Sequence, residues 1–232
     1  PVGPRPGTLS LDPEGEFLYV TVAGVDLVVV LDARTGVTVA ETTIRWHPAG
    51  VVVSPDGSRL FVSADGAGVV ESFSTRDLRS LGWVVVQPDP YGLAVSSDGG
   101  TLYVTHLRSG ELTVVDVATG SVRDVIPTGP QNNVSRQVIL AEDTGRAYLP
   151  LTRSRVDNGR PTFENTVMPR VVSVDLEARR VVHREFLGLD TLDRPVSLPS
   201  AAAISPDGRL LYVVNAGSDD VSVIDLEVGM GI

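Results

Sequence analysis

The chain has 232 residues and a formal net charge of −10; its 19 basic residues are all arginine, and it has no cysteine. An acidic surface does not supply the phosphate-neutralising patch that nucleic-acid binding needs, so we expect no nucleic-acid partner. The lack of lysine excludes a Schiff base, and the lack of cysteine excludes disulfides, thiolate catalysis and covalently attached c-type haem within this chain. No apolar run approaches the roughly 18 residues of a membrane span, so we expect no membrane insertion.

Five segments repeat one pattern, in which an apolar run is followed by a turn with glycine and then by a strand-like stretch. The turn glycines lie at intervals of 42, 42, 46 and 63 residues, at Gly15, Gly57, Gly99, Gly145 and Gly208. A period of about 40 residues built from short strands is typical of β-propeller blades. We therefore predict an all-β protein, a β-propeller of four-stranded antiparallel blades. The repeats of this single domain or partial propeller span approximately 5–46, 47–88, 89–133, 134–197 and 198–232.

The first two repeats are regular, and the third shows the four strands of a blade most clearly, at Gly92–Ser96, Thr101–Thr105, Glu111–Val117 and Ser121–Pro127. In four repeats, 13 residues separate the aromatic residue of the second strand from the end of the third. The fourth repeat needs 27, from Tyr148 to Asp175, so we predict an inserted loop of about 14 residues at roughly 153–169. Further residues are added near 128–134 and 188–199.

These three expansions fall in loops that emerge on one face of a propeller, which predicts a functional face; neutral drift in loop length is the alternative. The fifth repeat stops shortly after its third strand, Val221–Leu226. Since a ring that does not close leaves exposed edges, we expect the chain to be part of a larger ring of about seven blades. A closed five-bladed disc is the alternative.

The segments Tyr103–His106 and Tyr212–Asn215, with SPDG-type turns before them and VSVIDL after the second, resemble the YVTN-type β-propeller repeat. From about Asn132 to the end, the chain resembles the propeller part of secreted bacterial proteins fused to a di-haem cytochrome c peroxidase or MauG-like domain. This resemblance implies a periplasmic or extracellular protein. It also implies that haem, an electron-transfer cofactor, would sit on a fused domain or a partner, since this chain carries no CxxCH motif.

Candidate binding residues follow from residue type and predicted position. His47 and His106, on the elaborated face, could ligate a metal or act as acid and base; exposed or hydrogen-bonded loop histidines are the alternative. Arg153, Arg155 and Arg170, with Asn133 and Arg136, could form a positive pocket for carboxylates, phosphates or haem propionates, or a solvated loop. Asn215, beside Asp219–Asp220, could bind Ca²⁺ or serve a turn. We assign no catalytic residue and no metal site.

The sequence therefore leads to one main functional hypothesis and two alternatives. The main one is a non-catalytic, extracytoplasmic propeller scaffold that docks a protein or binds a ligand, associated with a haem redox domain or partner. The first alternative is an enzyme of the lactonase or lyase kind, with a site at the channel mouth that uses His47 and His106. The second is a surface-layer or adhesion module. A small-molecule ligand is compatible with the first two.

Overall fold

The computed structural model describes residues 2–154, 159, 167–182, 187–189, 196–228 and 230–231. These residues form antiparallel β-sheets, the blades of a β-propeller, with one short 3-10 turn at Glu142–Thr144. The predicted all-β propeller fold is confirmed. No helix in the described ranges is long and apolar enough to cross a membrane.

Four of the five blades have the simple order first-second-third-fourth strand. Blade 1 consists of β1 (Pro6–Leu11), β2 (Phe17–Val22), β3 (Leu27–Asp32) and β4 (Thr38–Thr43). Blade 2 consists of β5 (Pro48–Val53), β6 (Arg59–Ala64), β7 (Val69–Ser74) and β8 (Ser80–Val85). Blade 3 consists of β9 (Pro90–Val95), β10 (Thr101–His106), β11 (Leu112–Asp116) and β12 (Ser121–Ile126). Blade 5 consists of β19 (Pro199–Ile204), β20 (Leu210–Asn215), β21 (Asp220–Asp225) and β22 (Met230–Gly231).

Blade 4 departs from this order because its outer strands are broken. Its long hairpin, β15 (Arg146–Ser154) and β16 (Val167–Asp175), is flanked on one side by β13 (Asn132–Asn133) and β14 (Ile139–Ala141). On the other side lie β17 (Arg180–Val181) and β18 (Leu187–Gly188). The prediction of an inserted loop over 153–169 is therefore corrected at both ends. Both central strands are nine residues long, and the first and last residues of the insertion extend the hairpin.

The chain divides into two compact units, which we describe separately. The first is Pro1–Val104 with Thr113–Asp124, and the second is Thr105–Leu112 with Val125–Ile232. Within the first unit, the first strands β1, β5 and β9 contact one another in series. Valine-rich central strands pack between the sheets, for example Leu60 and Val62 on Val28. Valine suits this position because a branched side chain packs well on a pleated, buried surface.

A hydroxyl on the second strand joins successive blades. Thr21 Oγ1 donates to the carbonyl oxygen of Ala49 at 3.0 Å, and Ser63 Oγ donates to that of Tyr91 at 2.6 Å. In the second unit, Thr105 donates to the carbonyl of Ser135 at 3.0 Å. The third residue of the YVT-like segment thus links one blade to the first strand of the next.

The aspartates of the SPDG-type turns are held by their neighbours. The Ser54 hydroxyl, followed by the N–H and hydroxyl of Ser58, lowers the pKa of Asp56 from 3.8 to about 2. The Ser96 hydroxyl and the Gly100 N–H lower the pKa of Asp98. Each carboxylate replaces a missing strand bond in the turn, which explains why the turn sequence recurs.

This arrangement predicts an acid-labile fold. Because the pKa values of these carboxyls lie below their unfolded value of 3.8, the unfolded state binds protons first as the pH falls. The stabilisation is complete above about pH 5 and is lost progressively toward pH 2. Urea unfolding between pH 7 and pH 2.5 should show this decline. The variant Asp56→Asn should lose less stability than wild type across the acidic part of the range; an identical slope would contradict the assignment.

Candidate functional site

A pair of arginines lies on one face of the extended hairpin of blade 4. The register sets Arg153 opposite Met168 and Leu151 opposite Arg170. Because alternate residues of a strand point to the same face, Arg153 and Arg170 are diagonal neighbours. Burial, and after it the Arg153 charge, lowers the pKa of Arg170. Arginine stays protonated in proteins all the same, so the hairpin holds two positive charges side by side.

The neighbouring strand β13 adds two amides to this pair. Asn132 lies opposite Arg153, and Asn133 lies opposite Thr152. The Asn132 Nδ2 donates to the carbonyl of Thr128 at 2.8 Å, which fixes the amide. We call Asn132, Asn133, Arg153 and Arg170 the arginine cluster.

Several buried polar atoms of this region make no hydrogen bond within the described part of the chain. They include Asn132 Oδ1, Thr152 Oγ1 and Arg153 Nε. The ion pairs found among the described residues do not include Arg153 either. Buried polar atoms are nearly always hydrogen-bonded, by protein, water or ligand. Donor and acceptor capacity is therefore available here for a bound anion.

The structure brings three of the predicted pocket residues, Asn133, Arg153 and Arg170, onto adjacent strands. Arg153 and Arg170 belong to strands, which corrects their assignment to a loop. Arg136 lies in the segment between β13 and β14 and is partly buried. Arg155 lies outside the described residues.

His106 differs from its predicted position. We expected it to open a loop on the elaborated face, but it is the last residue of β10 and its side chain is 0% exposed. Its carbonyl accepts from the Gly110 N–H at 3.0 Å, which closes a tight turn. A fully buried imidazole does not reach a substrate at the surface, so this residue is removed from the candidate acid–base pair.

Asn215 serves a turn. Its Nδ2 donates to Asp220 Oδ1 and to Ser222 Oγ, both at 2.9 Å, and Ser218 Oγ donates to the same Asp220 oxygen at 3.1 Å. This side-chain network ties the end of β20 to the start of β21. Of the two interpretations of Asn215, the turn is the one that the observed bonds explain.

His47, in the first unit, lies between two carboxylates. Its Nδ1 is 2.8 Å from Asp65 Oδ1, and its backbone N–H donates to Asp26 Oδ1 at 2.7 Å. The imidazole side chain is 44% exposed and that of Asp65 is 22% exposed. A carboxylate that orients an accessible imidazole is an arrangement suited to acid–base chemistry. The sequence analysis missed both partners, which lie in loops between second and third strands; its own argument that these loops share a face with the junctions could have found them.

The residue before each first strand has an unusual backbone. His47 has a φ of 63°, a left-handed value that only a few per cent of non-glycine residues adopt. The same geometry recurs at the other blade junctions, at Arg5, Asp89, Val134 and Leu198. In blades 1, 2 and 5, the carbonyl of this residue accepts from the residue after the second strand, Ala23, Asp65 and Ala216 respectively.

Comparisons with known proteins support the fold. No protein-family model matches the chain, and no curated protein matches it. Among solved structures, the chain is similar to Kuenenia stuttgartiensis hydrazine synthase, with a TM-score of 0.68 and 19% identity over 97% of this chain and 77% of that one. It is also similar to dihydro-haem d1 dehydrogenase NirN in complex with DHE, with a TM-score of 0.67 and 21% identity over the whole of this chain and 45% of that one. The chain thus spans less than half the length of the NirN chain. At this identity the likeness shows the propeller fold, and the YVTN-type repeat and the haem-domain fusion stay predictions.

Proposed function

We propose that this chain is a non-catalytic, extracytoplasmic propeller scaffold whose arginine cluster binds the carboxylates of a haem carried by a fused domain or a partner. The observation that carries the proposal is the pair Arg153 and Arg170, held side by side with unsatisfied polar atoms around it. On a protein of net charge −10, an isolated pair of like charges is best explained by an anionic ligand.

Haem propionates fit this donor set. A guanidinium presents a planar fork of N–H donors that matches a carboxylate in two parallel hydrogen bonds. The amides of Asn132 and Asn133 add donors beside the arginines. A haem bound there would supply electron transfer, and its iron ligands would come from the fused or partner domain. That one structure of similar fold is a haem d1 dehydrogenase bound to DHE supports this choice. The extracytoplasmic location rests on the sequence resemblance alone.

A titration with iron mesoporphyrin, which carries two free propionates, tests this function. The chain at micromolar concentration should change the porphyrin absorption band in a saturable way at one porphyrin per chain. The affinity should fall as salt is raised, because part of the attraction is between exposed charges. An absorbance change that never saturates, or that ignores salt, would count against a built carboxylate site.

The pair of His47 with Asp65 favours a second candidate, an enzyme of the lactonase or lyase kind with His47 as the base. It predicts turnover of a lactone probe such as δ-valerolactone that falls by about 100-fold or more in His47→Ala, the range of acid–base contributions. Asp65→Asn should reduce the rate less and shift its pH profile. Equal rates in wild type and both variants would remove this candidate.

A further inference from the structure

A second site is visible in the first unit, on the groove between blades 1 and 2. The groove has a volume of about 800 Å³ and is lined by residues of both blades and of the junction between them. We call it the tryptophan groove and use six of its residues, Asp26, Thr42, Arg45, Trp46, Glu71 and Trp83.

Both tryptophans of the chain lie on this groove. Trp46 is 71% exposed and Trp83 is 54% exposed. Large aromatic side chains stabilise a fold mainly when buried, so two exposed rings on one groove form a patch that calls for a ligand. Trp46 also has a positive φ of 26°, directly before the left-handed His47. Such backbone strain persists where a site requires it.

A buried carboxylate fixes the wall that carries Trp83. Glu71, opposite Trp83 in the β7–β8 register, is 5% exposed, and its Oε1 accepts from the Arg45 N–H at 2.6 Å. The Arg45 Nε lies 3.7 Å from the other carboxylate oxygen. The guanidinium carbon then lies 4.1 Å from the centre of the Trp83 ring, a cation–π distance. The ring is thus held in place before any ligand arrives, which lowers the entropy that binding costs.

The chemistry of the groove selects the ligand. A sugar ring has one face of C–H groups that stacks on an aromatic face, and its edge carries hydroxyls that donate and accept hydrogen bonds. Carboxylates such as Asp26 accept but do not donate, so their partner must bring donors. A proline-rich segment also stacks on tryptophan, but its prolines lack N–H groups. Asp26 and Glu71 together outweigh the single charge of Arg45, which disfavours an acidic sugar.

We propose that the tryptophan groove binds a neutral oligosaccharide. Trp46 and Trp83 are the stacking platforms, and Asp26 and Thr42 bond to hydroxyls of the sugar. This site is independent of the arginine cluster, which lies in the other unit.

Tryptophan fluorescence tests the proposal directly, because the groove contains every tryptophan of the chain. Cellopentaose, chitopentaose and maltopentaose should be titrated separately, and at least one should shift the emission in a saturable way. For that sugar, Trp46→Ala should raise the Kd by about tenfold or more, the size of one lost stacking contact, while Trp46→Phe should keep most of the affinity. Val122→Ala, an exposed apolar residue of blade 3, is the matched control and should change nothing.

Three outcomes would overturn the proposal. The first is that none of the three sugars gives a saturable shift. The second is that decaproline binds whereas no sugar does, which would make the groove a peptide site. The third is that pentagalacturonate binds as tightly as the best neutral sugar, which would contradict the charge argument. Unfolding midpoints of the variants equal to that of wild type would show that a loss of binding is not a loss of fold.

Discussion

A Gly50→Ala substitution should lower the free energy of unfolding by about 3 kcal/mol, at the upper end of the usual cost of overpacking. A methyl group on Gly50 would lie 2.0 Å from the carbonyl oxygen of Tyr91 and 3.0 Å from Ser63 Oγ. The first obstacle is backbone and cannot rotate away, so β5 and β9 would have to separate. That movement would also stretch the Ser63 bond to Tyr91, the link between the two blades.

Thermal unfolding measures this effect, and for a chain of this size the midpoint should fall by about 6–12 °C. Gly15→Ala is the matched control. Gly15 has a φ of 73° but open space around the added methyl, so it reports backbone strain alone, about 1–2 kcal/mol. If Gly50→Ala lost no more stability than Gly15→Ala, the close approach of the first strands would be refuted.

The double substitution Arg153→Gln and Arg170→Gln should weaken iron mesoporphyrin binding by about 100-fold or more. Each arginine would lose a charge-assisted hydrogen bond to a propionate, worth about 1.5–3 kcal/mol, and 1.4 kcal/mol is a factor of ten. Stability should not fall in parallel. Removing one of two neighbouring positive charges relieves the repulsion that contributes to the lowered pKa of Arg170, so the variant should unfold no more easily than wild type.

Arg209→Gln is the control for this pair, with the opposite pattern expected. The Arg209 guanidinium donates to Asp225 at 2.8 Å and 3.0 Å, in the same unit, and the Asp225 carboxylate is 5% exposed. Its loss should lower stability and leave porphyrin binding unchanged. If both variants lost binding and stability together, the arginine cluster would be structural.

The fold could be predicted because the information is local and repeated. The turn sequence of Ser54–Gly57 is written again at each blade, and the 13-residue spacing sets two strands of the blade at once. Even the junction residues were predicted as equivalents, and at His47 and Leu198 the structure gives the same left-handed backbone. At the fourth junction, predicted near Ser135, this backbone occurs one residue earlier, at Val134.

The sites were harder to predict because they depend on contacts between distant residues. Asp65 reaches His47 across 18 positions, through the register of one sheet and the path of a loop. His106 looked like the start of a loop because a glycine-containing polar stretch follows it, yet packing buries it fully. The arginines were found by residue type, but the side-by-side placement of Arg153 and Arg170 follows only from the extended hairpin.

The central claim is that this propeller recognises the carboxylates of a haem. The most direct measurement compares iron mesoporphyrin with its dimethyl ester, which keeps the ring and iron but has no free carboxylate. Wild type should bind the free acid at least about tenfold more tightly than the ester, and the Arg153→Gln, Arg170→Gln variant should bind both equally. Equal affinities of wild type for acid and ester would contradict the account.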